Sequence, residues 1–233
     1  MKHIFEELKY GPTVTYILII INILIFIFSI ILQSVFTTND LEIAVFMGGS
    51  NITLILQGQV WRLITANFLQ VDILHLGFNV LSLYYYGKFI EQFYSSKKLF
   101  IIYLLSGIAG TTLSLLNFSA VSFGASAGIW GFLGVIVGNL LKKNTYSPGL
   151  PLDLKQLLPS VLIWLFFSFS MPGISGLGHL GGFIGGVILG LLLDTVHTFR
   201  PRKFEENMIR ILFPLSIILT VLGFLGLIFF VLI

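Results

Sequence analysis

Two short strings place polar, chemically competent side chains among glycines. Ser126 stands in Gly124-Ala125-Ser126-Ala127-Gly128, and His179 in Gly178-His179-Leu180-Gly181-Gly182. Both fall inside long uncharged stretches, where an ionisable group is costly unless it lines a cavity. A hydroxyl and an imidazole at that depth fit nucleophile and general base, the pairing that activates serine for acyl transfer. A second pair, His75 and Asn79, is four residues apart. On a helix that spacing puts both on one face, about 6 Å apart along the axis, and two neutral donors aimed together suit a developing oxyanion. Each has a plainer reading. Serine in a small-residue stretch is commonly a packing residue, and a His/Asn pair can simply bridge helices.

The elements that position these residues follow from composition. Apolar residues make up 56% of the 233 and charged residues 10%, and the charges sit between long apolar runs, which excludes a soluble domain. With about 20 apolar residues needed per helical span, seven candidates emerge, near 14–35, 74–92, 98–117, 124–141, 157–171, 177–195 and 211–233. The fold class predicted is therefore all-α, a polytopic membrane protein with a bundle of about seven transmembrane helices. The fifth span is short and ends at Pro172-Gly173, where unwinding or tilt is expected. The first is read as a retained span, since no small-residue cleavage site follows it.

Charge gives the orientation. With the N-terminus inside, Lys2, Lys9, Lys88, Lys97, Lys98, Lys142, Lys143, Lys155, Arg200, Arg202, Lys203 and Arg210 fall on the cytoplasmic side and only Arg62 outside. The C-terminus is then external, along with Ser126, His179, His75 and Asn79. The net charge of +3 calls for no nucleic acid, because orientation and anionic headgroups account for the basic loops. The chain has no cysteine, which removes thiol catalysis and thiolate metal sites, and no His-Glu-x-x-His string suggests a metal.

The stretch from Phe36 to Ile73 alternates apolar patches with turn residues, as short amphipathic pieces lying in the membrane interface would. Its Trp61-Arg62 dipeptide suits that depth, with Trp at the headgroup level and Arg either snorkelling or pairing with backbone carbonyls, and an ordinary interfacial anchor explains it equally well. Ser126 should open the fourth span, with free helix N–H groups beside it. Glycines at 178, 181, 182, 185, 186 and 190 form a stripe that lets helices pack backbone to backbone, and so bring His179 against the fourth span.

These residues together resemble the rhomboid intramembrane serine proteases. The resemblance runs through Trp61-Arg62, His75-x-x-x-Asn79, Gly124-x-Ser126 and Gly178-His179 with its spaced glycines, and covers about residues 57–195. It implies a Ser126/His179 dyad without a carboxylate and without a cofactor. It also implies an oxyanion hole from the Ser126 N–H with His75 and Asn79, and Trp130 stacked beneath the His179 ring. Gly124, Gly128 and Gly182 are supporting positions. Glu91 matches a carboxylate that buttresses the second span. Two positions depart from the family pattern: Ala127 replaces a usual glycine, and Gln70 stands where many members carry a second histidine.

The implied organisation is a cytoplasmic N-terminus (1–13), a rhomboid-like six-helix core (14–196), a basic cytoplasmic loop (197–210) and an added helix (211–233). The implied activity is cleavage of membrane protein substrates at transmembrane segments weakened by helix breakers, in the lipid bilayer, with the bacterial cytoplasmic membrane as the expected location. Access is expected between the second and fifth spans, with Met171 to Gly176 as cap. The alternatives are an inactive rhomboid-like scaffold that binds client helices, and a small transporter or channel with a polar pocket in its outer half. The transporter lacks support from inverted repeats or a paired intramembrane acid and base.

Overall fold

The computed structural model describes residues 12–36, 38–70, 72–118, 120–142, 153–195 and 203–232. Most of the expected N-terminal segment 1–13, and residues 197–202 of the expected basic loop, lie outside the described residues.

The chain folds as an all-α polytopic membrane protein. Its long helical segments are α1 (Thr13–Phe36), α5 (Ile73–Ser82) running through a π-helical stretch (Leu83–Gly87) into α6 (Lys88–Tyr94), α7 (Ser96–Ser114), α8 (Ser126–Leu140), α9 (Leu154–Ser170), α10 (Gly176–Leu192) and α11 (Lys203–Leu232). With α5 and α6 taken as one, these correspond to the seven expected spans. Large apolar side chains face outward along them, among them Ile20, Leu24 and Phe28 on α1 and Ile218, Leu222 and Phe229 on α11. Such surfaces are stable against lipid and not against water.

By length and composition alone α1 and α11 can cross a bilayer. Helix α8 has only 15 residues, about 22 Å of helix against a hydrocarbon core of about 30 Å. It is buried along most of its length, so protein and not lipid sets its ends.

Backbone contact holds the centre together. A Cβ at Gly134 or Gly138 of α8 would come within 2.2 Å of the carbonyl oxygen of Phe183 or Val187, and one at Gly186 of α10 within 2.2 Å of that of Gly131. The two stripes interlock with no side chain between them. Helix α7 closes the trio: a Cβ at Gly110 would lie 2.4 Å from the Gly178 oxygen and 2.6 Å from Ala127 Cβ.

Helix α1 turns a narrow face inward, formed by Thr15, Leu18, Asn22, Phe26 and Ser29. The first-turn donors at its start are satisfied from α6. Glu91 accepts from Val14 N (2.9 Å), Thr15 N (2.8 Å), Thr15 Oγ1 (2.7 Å) and Ser96 Oγ (2.6 Å). One carboxylate thus caps α1 and ties it to the α6–α7 junction, which is the physical content of its buttressing role.

The stretch before α5 is built of short helices, as its patterning predicts: α2 (Asp40–Phe46), α3 (Ile52–Leu56) and α4 (Arg62–Thr65), the last running into a 3₁₀ turn (Ala66–Phe68). Asn39 and Asn51 cap α2 and α3 through their side-chain oxygens. Arg62 does not snorkel. It is 1% exposed and donates to Gln59 Oε1 (2.7 Å), Val45 O (2.6 Å) and Gly49 O (2.8 Å), so it staples this substructure from within. Trp61 packs on Gly226 and tilts against Phe230 of α11.

Helix α11 begins at Lys203, eight residues before the expected start of the seventh span. Its first turn carries Glu205, which is 1% exposed and pairs with Lys98 at 2.5 Å, while Asp194 N donates to Glu205 Oε1 and Lys142 pairs with Asp194 at 2.8 Å. Charge that reads locally as loop is buried here because its partners lie on α7 and after α10.

Candidate active site

Ser126 is the first residue of α8, and the residue before it provides no side-chain cap. The first-turn N–H groups therefore point out of the helix beside the serine hydroxyl. His179 lies in the first turn of α10, whose start is capped by Ser175 Oγ accepting from Gly178 N at 3.0 Å. The α8/α10 crossing brings the two together, with His179 Nε2 2.9 Å from Ser126 Oγ.

The imidazole is held by stacking. Trp130, one turn into α8, lies under it with ring centroids 5.3 Å apart and planes inclined by 29°. Nδ1 of His179 is buried with no hydrogen-bond partner among the described residues, so no carboxylate orients the ring. With Nε2 accepting from the hydroxyl, the ring proton belongs on Nδ1, a tautomer assigned from this geometry.

Gly124 has φ +121°, a conformation closed to residues with a Cβ. A Cβ there would also sit 2.8 Å from His75 Nε2 and 3.7 Å from Ser126 Oγ, so the glycine keeps open a space that the imidazole and the hydroxyl share. Gly124 N donates to Ala66 O at 2.8 Å, tying the segment before Ser126 to the 3₁₀ turn after α4. Gly128 packs flat on Tyr103 of α7, and Gly182 lies against the Ala127 carbonyl. Ala127 keeps its methyl because Gly110 faces it from α7 with no side chain of its own.

Asn79 is 5% exposed and gives one amide N–H to Gln70 Oε1 at 2.8 Å. His75 and Asn79 share α5 as the spacing predicts, with His75 turned to Gly124 and Asn79 tied to Gln70. Sequence reasoning missed Asn22, buried on α1 and bonded to Gln70 at 3.0 Å. The signal was there, a lone amide in an apolar span. Among the described residues no three His, Cys, Asp or Glu side chains converge as a metal site would need. A groove of about 390 Å³ lined by Leu41, Val45, Leu54, Arg62 and Phe230 contains none of these residues.

A family model, the Rhomboid domain, matches residues 57–195. The chain belongs to the rhomboid family. It is 35% identical over 75% of its length to Rhomboid protease GluP of Bacillus subtilis, covering 34% of that protein. It is 34% identical over 66% of its length to RHOMBOID-like protein 7 of Arabidopsis thaliana, covering 48% of it. Rhomboid-like protease 3 of Toxoplasma gondii is 30% identical over 80% of the chain and 71% of its own length. The chain spans between a third and a half of the length of the first two relatives. Membership places it in a family of intramembrane proteases and in the membrane.

Proposed function

We propose that this rhomboid protein is an active intramembrane serine endopeptidase, with Ser126 as nucleophile and His179 as base. The observation that carries the reading is the 2.9 Å contact between Ser126 Oγ and His179 Nε2, with the ring stacked on Trp130. An unassembled site would have no reason to stack and aim an imidazole there.

In the proposed reaction Ser126 Oγ attacks a substrate peptide carbonyl as its proton passes to His179 Nε2. Negative charge collects on the carbonyl oxygen, where the Ser126 backbone N–H and the side chains of His75 and Asn79 receive it. The imidazolium then protonates the leaving amine. Water, deprotonated by His179, hydrolyses the acyl enzyme and restores Ser126, so each peptide bond consumes one water. A helical substrate has its carbonyls bonded internally, so the favoured substrates are transmembrane segments with small or helix-breaking residues. The distribution of basic residues supports a cytoplasmic N-terminus and a site opening to the external side, and the location we propose is a bacterial cytoplasmic membrane.

The test is labelling of the purified chain in lipid vesicles with a fluorophosphonate, mapped by mass spectrometry. A covalent adduct on Ser126 that disappears in Ser126→Ala and His179→Ala supports the reading. Folded protein that stays unlabelled overturns it in favour of a scaffold that binds client helices without cutting them.

A further inference from the structure

Three side-chain amides from three separate segments lie in one buried row: Asn22 on α1, Gln70 after the 3₁₀ turn and Asn79 on α5. Asn22 and Gln70 are fully buried and Asn79 is 5% exposed. Burying amides is unfavourable unless they are hydrogen-bonded, and here they satisfy one another. Asn22 Nδ2 donates to Leu18 O at 2.8 Å, Gln70 Nε2 donates to Asn22 Oδ1 at 3.0 Å, and Asn79 Nδ2 donates to Gln70 Oε1 at 2.8 Å.

The row has a direction. The Leu18 carbonyl can only accept, so Asn22 turns its NH₂ toward it and its oxygen toward Gln70. Gln70 then turns its NH₂ to Asn22 and its oxygen to Asn79, and Asn79 presents its NH₂. Reversing any one amide sets two acceptors or two donors face to face, so a backbone carbonyl on α1 fixes which way Asn79 points. Ser29, further along the same face of α1, reaches the Gln70 backbone carbonyl (Oγ to O 3.4 Å) and holds the middle member from a second side.

Resting on the protease reading above, we propose that Asn22 and Gln70 are positioning residues for the oxyanion hole, a relay that locks the Asn79 amide with its second N–H toward the reacting carbonyl. The orientation matters because the reversed amide offers an oxygen to a developing negative charge, turning a stabilising donor into a repulsive acceptor. It also gives Gln70, where many rhomboids carry histidine, a definite task.

The experiment measures kinact and KI for fluorophosphonate labelling of Ser126 in vesicles, for the unmodified chain, Gln70→Met, Asn22→Leu, Asn79→Ala and the doubles with Asn79→Ala, with thermal unfolding recorded for each. Asn79→Ala should lower kinact by about 10², and Gln70→Met and Asn22→Leu each by about tenfold, with KI unchanged. In the Asn79→Ala background both should change kinact by less than about twofold, because nothing remains to be oriented. Should Gln70→Met not fold, Asn22→Leu, which removes the acceptor that orients Gln70, carries the cycle. Undiminished kinact in folded Gln70 and Asn22 variants, or full losses repeated on top of Asn79→Ala, overturns the relay while leaving the dyad in place. No labelling of the unmodified chain overturns the protease reading and the relay together.

Discussion

Replacing Gly182 by alanine tests whether backbone packing sets the distance of the dyad. The new methyl would lie 2.1 Å from the Ala127 carbonyl oxygen and 2.8 Å from its carbonyl carbon, where ordinary contact begins near 3.4 Å. The obstacle is backbone, so no side chain can swing aside, and α8 and α10 have to part by about 1 Å. Ser126 adjoins Ala127, and His179 lies one turn before Gly182, so the opening falls on the 2.9 Å contact between Oγ and Nε2. At a separation near 4 Å that contact is no longer a hydrogen bond. A misplacement of about 1 Å costs on the order of 10² in rate, or about 2.7 kcal/mol of barrier, and the overpacking lowers stability by about 1–3 kcal/mol. The assay is the rate of fluorophosphonate labelling of Ser126 in vesicles, with thermal unfolding followed on the same samples. Gly77→Ala is the control, since nothing lies within 4 Å of a Cβ there, and its labelling should match the parent. If folded Gly182→Ala is labelled as fast as the parent, the α8/α10 crossing does not set the dyad distance and the reasoning is wrong.

The pH profile follows from the chemistry of the base: turnover needs neutral His179, so it is full above the pKa of that imidazole and falls about tenfold per pH unit below it. A rate that keeps rising below about pH 5 removes His179 from the role of base. Glu91→Gln sets an NH₂ group among the donors of Val14, Thr15 and Ser96; a loss of about 2–3 kcal/mol in unfolding free energy is expected, and an unchanged midpoint in detergent titration would place no weight on this cap. Lys98→Met strands the buried Glu205 carboxylate and should cost roughly 3 kcal/mol, most of it regained in Lys98→Met/Glu205→Leu. A double variant no more stable than the single one would mean that the pair does not fasten α11 to α7.

How much of this was legible in the sequence depends on whether the cause was local. Spans are local: an uncharged run has to become a helix in lipid, because its backbone finds no other partners, and the seven runs correspond to the seven long segments. Ser126 and His179 stood out because a small-residue stripe accounts for every glycine around them and for neither polar side chain. Helix α11 starts ahead of the apolar run, at residues that read as loop, because the burial of Glu205 depends on Lys98 beside it. Arg62 allowed two readings, snorkelling or pairing with backbone carbonyls, and took the second, since the turn after α2 presents the carbonyls of Val45 and Gly49 to it. Gln70 was visible as a departure from the family pattern, but its task depends on Asn22, which no spacing rule connects to it.

On the protease reading proposed above, the same contacts bear on where the site opens. Every glycine contact between α8 and α10 is backbone against backbone, so separating those helices enough to admit a substrate would break the dyad that has to act on it. On the other flank α9 is held by side chains. Val161 and Leu165 pack with Val137 and Phe183, while Trp164, Phe166 and Phe169 point outward. Beyond α9 comes Met171 to Ile174, all exposed, with Gly173 at φ +77° and nothing within 4 Å of where its Cβ would stand. Moving α9 exchanges side-chain contacts for lipid contacts of much the same kind, and the hydrogen bonds of the Ser126–His179 pair and of the amide row run between other segments. On that protease reading, the enzyme needs one rigid wall to hold its chemistry and one yielding wall to admit the substrate; the first is the α8/α10 crossing, and the second is α9, which packs over that crossing through side chains.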